Sequence, residues 1–376
     1  MTNLETTKLE HGYFPEASKF VDTLREIKDL RQTHGWDVIM STLDITAENG
    51  TMRISTPIGD VVSMEPTEWA HGQIANKMGI TKQYYDKIRA EPQKALFDYN
   101  VNYWMHNYEK KVLVRRFNDK MIALLSDRYR AYDNYDVANI VMHTVMEMGI
   151  KNVKTDHMLL SDKMMSFSVY DPTPENMLVL PDAPHDKYML GLKVKNSDVG
   201  YSSFEMSPML VRLVCTNGMV SFNPYRKIHR GGSQDEGNIW SNETNRARAA
   251  LNGYELRDIT RLAFNKSKAL EYLGELRQLQ NIHVDPTQQD IYMPIFSLTQ
   301  EESENVWKRV EQNNAYEYVQ AVTSYANDLI SAGRDRGAEL QENTTDPLQK
   351  FQNAERQRQK KERSSNDLSN FEVKIE

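Results

Sequence analysis

The residue types that could do chemistry gather in two strips. In the first, SDRYRAYDNYD (residues 126–136), Arg128 and Arg130 alternate with Tyr129, Tyr132 and Tyr135. The second runs from Phe222 to Arg230 and holds Tyr225, Arg226, Lys227, His229 and Arg230. Phosphates need cations, and unpaired bases need flat rings to stack on, so this interleaving points to single-stranded or flexible nucleic acid. Arg115 and Arg116 are consecutive in a strand-like stretch and therefore point to opposite faces; one of them is expected to extend the same surface. The competing reading buries Tyr129 and Tyr132 and pairs the arginines with the chain's excess of acids.

Other chemistries find less support. Asp127, Asp133 and Asp136 resemble a divalent-metal cluster of a nuclease, but each has a local task. Asp127 sits beside Arg128 and Arg130, and Asp133 and Asp136 stand at the start of a helix, where negative charge is favoured. The nine histidines never fall at HxxxH or HxH spacing. The single cysteine, Cys215, lies in an apolar run that disfavours its thiolate, so it reads as a buried structural residue. It also excludes an internal disulfide and a zinc site built on several thiolates. No GxxxxGK[ST], GxGxxG or GxSxG segment is present. No catalytic residue, metal or cofactor is therefore assigned, and a binding protein is preferred over an enzyme.

The elements that must position the two strips read as an α+β fold. A helix is expected over 17–32, then a β-rich stretch over 37–58 with a hairpin turn at Glu48-Asn49-Gly50. Thr67 caps a helix, Gly79 breaks it, and Tyr84, Tyr85 and Ile88 resume the period. This is helix-turn-helix spacing, which would turn Lys82, Gln83 and Lys87 toward a groove unless the pair simply packs on a sheet. Residues 102–125 read as strands. Asp133 or Asn134 caps a helix that runs from Tyr135 to Met148 and stops at Gly149. Two strands follow in 150–170, then a Pro-rich loop over 171–186. Tyr188 to Val194 alternates as a strand does. Met209 to Val214 with Asn217-Gly218 reads either as a hairpin or as a short buried helix; the alternation of Val211, Leu213, Cys215, Val220 and Phe222 favours the hairpin. Helices are expected over 242–282, with Ala247, Leu251, Tyr254, Ile259, Leu262, Leu270, Leu273, Leu276 and Leu279 as their apolar positions, and again over 300–331.

The expected organisation is an N-terminal arm with its helix (1–35), a mixed α+β core (36–232), a helical region (233–340) and a disordered tail (341–376). The tail carries the basic run KFQNAERQRQKKER. Net charge is −7, which argues against a broad nucleic-acid coat but allows a local basic strip. No apolar run approaches the roughly 18 residues of a membrane helix, and the first residues lack the basic and apolar regions of a signal peptide. A bacterial-type cytoplasm is the expected compartment.

Four motifs, LLSDRYRAYDNYDV (124–137), GLKVKNSDVG (191–200), VRLVCTNGMV (211–220) and HRGG (229–232), resemble the phage/plasmid-like family titled domain of unknown function 932. GITKQYYDKI (79–88) and YVQAVTSYAND (318–328) fit the same pattern, and the resemblance spans about residues 13–340. Gln320 departs from it, standing where that family more often has Asn. The resemblance implies a setting, mobile-element biology in a bacterial cell, and no reaction. The expected function is non-enzymatic binding of single-stranded nucleic acid, DNA first, in replication or recombination, with self-assembly as a possible part. The alternatives are an interaction protein aimed at a host or defence factor and the metal-dependent nuclease.

Overall fold

The computed structural model describes residues 12–14, 16–55, 61–117, 120–129, 132–150, 152–180, 183–213, 218–220, 225–227 and 242–356. Gly12–Phe14 (β1) and Ala17–His34 (α1) come first. Gly35–Ser41 (β2), Ile45–Glu48 (β3), Thr51–Ser55 (β4) and Val61–Pro66 (β5) precede Glu68–Lys77 (α2), Lys82–Ala90 (α3) and Ala95–Tyr108 (α4). Next are Lys111–Phe117 (β6), Lys120–Ser126 (β7), Asn134–Glu147 (α5), Lys154–Leu160 (β8), Met165–Tyr170 (β9), Leu178–Leu180 (β10), Ala183–Asn196 (β11), Phe204–Arg212 (β12), Gly218–Val220 (β13) and Tyr225–Lys227 (β14). The C-terminal part is helical: Asn242–Ala263 (α6), Lys266–Gln278 (α7), Gln289–Phe296 (α8), Gln300–Trp307 (α9), Ala315–Ser331 (α10) and Asp335–Asn343 (α11).

The strands form two sheets. The first has the order β2-β6-β7-β5-β4-β3, antiparallel except where β5 meets β7. The second has the order β1-β8-β9-β11-β12-β13, with β10 added to β11 and β14 to β12, all antiparallel. This is the expected α+β class, with antiparallel sheets first and helices last. The first sheet buries Met40, Ile54 and Val114 against Ile74, Ile88 and Phe97 of α2 to α4. The second buries Phe167, Val194 and Phe204 against Leu24, Val141 and Leu256 of α1, α5 and α6. Helices α7 to α11 close a third cluster over Leu178, Tyr188, Leu190 and Leu210.

Several elements differ from the sequence expectation. Residues 102–108 belong to a helix, because Phe97, Val101 and Met105 recur every four residues and all three are buried. The stretch 37–46 is not one strand: β2 pairs with β6, a short 3-10 turn intervenes, and β3 pairs with β4 through Asn49-Gly50. In the Pro-rich stretch, β10 and the start of β11 replace the expected loop. The hairpin reading of 209–220 holds, but Val211 faces Gly218, so the connection is longer than a two-residue turn. Leu251, Tyr254, Leu262 and Leu270 are exposed rather than in the core. The tail stays structured to residue 356: a helix covers 347–356, and Phe351 packs edge-on against Phe296 and Tyr318. Residues 357–376 lie outside the described residues.

Residues directly opposite on neighbouring strands share a face, so the second sheet carries two polar rows on one side. Ser166, Lys195 and Glu205 form one, and Ser168, Lys193 and Ser207 the other; all six are buried. Helix α11 lies over them. Lys195 is ion-paired with Glu342, and Lys193 Nζ donates to the Ala338 carbonyl at 3.1 Å. On its other side α11 packs closely on α10 at Gly337. A Cβ there would meet the Ala326 oxygen at 2.5 Å and the Ile330 nitrogen at 2.7 Å, both fixed backbone atoms of α10. Gly337→Ala is therefore expected to cost about 1–3 kcal/mol, read as a lower urea midpoint with an unchanged slope.

Candidate nucleic-acid interface

Of the residues singled out from the sequence, Arg115 and Tyr129 are buried rather than on a surface. Arg115 is 1% exposed. Its Nε donates to Asp37 at 3.1 Å, one terminal nitrogen pairs with Asp37 at 2.9 Å and Asp133 at 3.1 Å, and the other donates to the Asp198 carbonyl at 2.5 Å. This guanidinium is sealed by carboxylates and cannot reach a phosphate. Tyr129 is also buried, with its hydroxyl donating to the Ser197 carbonyl at 2.9 Å, so its ring cannot stack on a base. The two join the first sheet to the 196–200 segment, as do Trp69 Nε1 and Gln73 Nε2, which both donate to the Val199 carbonyl. Asn196 Nδ2 donates to the Tyr132 carbonyl at 2.6 Å, and the Asn134 amide donates to Asp198 at 3.0 Å. The motifs 124–137 and 191–200 thus meet as an internal junction.

Arg116 is partly buried and Arg128 is exposed, on a different part of the chain from β14. Tyr225 is held by a hydrogen bond to Glu255 at 2.8 Å and by its ring against Phe204. Arg226 and Lys227 lie in β14, opposite Glu205 and Phe204 in register. Arg130, His229, Arg230 and Cys215 fall outside the described residues. The acidic trio is dispersed in its bonding: Asp133 holds Arg115, Asp136 is paired with Lys28, and Ser126 Oγ reaches Asp127 at 3.3 Å. Among the described residues, no three His, Cys, Asp or Glu side chains converge to hold a metal ion. In the helix-turn-helix segment Thr67 caps the first helix and Gly79 makes the turn, as expected, and Thr81 caps the second helix. Lys82, however, is tied to Asp86 at 2.5 Å and Glu68 at 3.5 Å, so its charge is answered within the unit. Gln83 and Lys87 are exposed.

Helix α4 carries an exposed aromatic patch that the sequence reading missed. Its inner face, Phe97, Val101 and Met105, is driven onto the first sheet by burial. Two of its side chains tie it to the β3–β4 hairpin. Asp98 accepts from the Asn49 and Gly50 amides at 2.7 and 2.9 Å. Asn102 accepts from the Ala47 amide at 2.7 Å and donates to its carbonyl at 3.0 Å, completing the open edge of β3 as a strand would. With one side locked, the opposite side holds rings in water: Tyr99 is 67% exposed, Tyr103 50% and Trp104 40%. Tyr99 and Tyr103 lie parallel within 10°, their centroids 6.0 Å apart, and Trp104 meets Tyr103 edge-on at 5.1 Å. One turn on, Lys77 and Lys110 sit over the Tyr108 ring at 5.6 and 5.0 Å. Tyr84 of α3 and Leu96 extend the exposed patch, with Tyr84 bonded to Asn100 at 3.4 Å.

The fold and this patch define an α+β protein with an exposed aromatic ridge on α4, beyond which Tyr108 packs on the first sheet's core beneath two lysines. No family model, no curated protein and no solved structure matches the chain. None of its helices among the described residues is long and apolar enough to cross a membrane.

Proposed function

We propose that the protein binds single-stranded nucleic acid without catalysing a reaction, and that α4 is the surface it uses. The observation that carries this reading is the stacked Tyr99–Tyr103 pair with Trp104 beside it, all exposed on a helix whose other face is locked. Large exposed apolar patches on a soluble protein mark interaction sites. Three adjacent rings offer stacking faces to any base, and Lys77 and Lys110 supply charge for the backbone. A duplex keeps its bases stacked on one another and would leave these rings idle. The resemblance to the phage/plasmid-like family would set this binding in mobile-element biology, and the process we infer for it is replication or recombination.

The test is an anisotropy titration with a labelled oligothymidine at about 50 mM salt. The Tyr99→Ala, Tyr103→Ala and Trp104→Ala triple variant is expected to lose about 1–3 kcal/mol for each base that stacks, with the fold intact because these side chains lie outside the core. Lys77→Gln with Lys110→Gln is expected to reduce the salt dependence instead. Absence of binding at low salt, or wild-type affinity in the triple variant, would reject the proposal.

A further inference from the structure

A groove of about 480 Å³ opens between helices α6 and α7 on one side and residues 346–352 on the other. Its apolar surface comes from Leu262, Leu276 and Leu348, together with Pro208 of β12. Leu276 is buried, but Leu262 is 45% exposed, so this wall holds a large apolar side chain in water.

The course of the chain says what can cover it. Gln352 also lines the groove, and the described part of the helix that carries it reaches Arg356 one turn later. Beyond Arg356 the sequence is polar as far as Asp367 and then reads LSNFEVKIE, where Phe371, Val373 and Ile375 alternate with Glu372, Lys374 and Glu376. In an extended segment such alternation puts the three apolar side chains on one side and the charges on the other. The roughly 15 residues between Arg356 and Phe371 would span on the order of 20 Å as a random coil. Arg356 itself lies only about 6 Å along its helix from Gln352. A tether of that length gives the segment an effective concentration on the order of 1 mM at the groove.

We propose that residues 371–375 of the same chain dock in this groove, with Phe371, Val373 and Ile375 against Leu262, Leu276 and Leu348. Docking would turn the basic run from Arg356 to Arg363 into a loop anchored at both ends. The inference does not rest on the nucleic-acid reading, because no residue of the α4 ridge lines the groove.

Hydrogen exchange of the full chain, read by mass spectrometry at low and high protein concentration, tests it. The Phe371→Ala, Val373→Ala, Ile375→Ala triple variant is expected to exchange about tenfold faster in α7 and residues 346–352. That factor is the ratio of an effective concentration on the order of 1 mM to an affinity on the order of 0.1 mM. Leu262→Arg should give the same acceleration, with the fold kept because this side chain is exposed. Combining the two should add nothing, since both break one contact. Unchanged exchange in the triple variant, or additive effects, would overturn the proposal. So would wild-type protection that grows with protein concentration, which would put the segment in the groove of a second copy.

Discussion

Replacing Arg115 by methionine is expected to lower the unfolding free energy by about 3–5 kcal/mol, the cost of removing one partner from a buried charge cluster. The side chain fills a closed site, and three acceptors from separate parts of the chain converge on it: Asp37, Asp133 and the Asp198 carbonyl. Methionine matches the length of the stem but leaves two carboxylates side by side with no cation. Because the Asp37 and Asp133 side chains are 40% and 44% exposed, water recovers part of their solvation, which places the loss nearer the lower end. Arg115→Lys separates charge from geometry. A single ammonium cannot span acceptors that a planar fork reaches from two edges, so it too should destabilise, by less. Urea unfolding followed by far-UV circular dichroism measures both. A lysine variant as stable as wild type would show that charge alone matters at this junction. Either variant should alter oligonucleotide affinity only in proportion to the unfolded fraction, since Arg115 faces no solvent.

The same residue shows what the sequence could reveal. That Arg115 and Arg116 face opposite ways followed from strand pleating, and the strand is there. Which face is covered depended on Asp37 and Asp198, 78 and 83 residues away, and no local rule reports such a pairing. Features set by neighbours in sequence were readable: the Asn49-Gly50 turn, the Thr67 cap, the glycine that ends α5, and the paired strands β8 and β9. Helix α4 was missed because Val101, Tyr103 and Met105 alternate as a strand would, and aromatic residues favour strands. The recurrence of Phe97, Val101 and Met105 was the signal that could have found it. Its N-cap, Lys94, makes no side-chain bond, and it ends on a left-handed Glu109 rather than a glycine, so the usual boundary marks were absent. With the helix unrecognised, the spacing of Tyr99 and Tyr103 carried no meaning. In the tail, the charges of 350–363 masked Phe351, a single ring that the third core buries.

Lys193→Met is expected to act in the opposite direction to the Arg115 change, stabilising the protein by about 1–4 kcal/mol at neutral pH. Lys193 is 4% exposed, and the acceptor that its ammonium reaches is one carbonyl, that of Ala338. Burial pulls the amine down from 10.5 to about 7; Glu205 and Glu342 oppose the shift, and Lys195 reinforces it. The unfolded chain keeps its proton up to about pH 10.5, whereas the folded chain releases it above about pH 7. Between those values the unfolded state binds more protons, so stability rises with pH. Below about pH 7 the residue is charged in both states and the full cost of burying it is present. Methionine removes that cost and this part of the slope together, while Lys195 keeps its pairing with Glu342. Thermal unfolding of wild type and variant from pH 6 to 9 should give curves that converge as pH rises. Parallel curves, or a less stable variant at pH 6, would mean that Lys193 is held by favourable charge pairing with Glu205 and that the polar rows beneath α11 strengthen the fold.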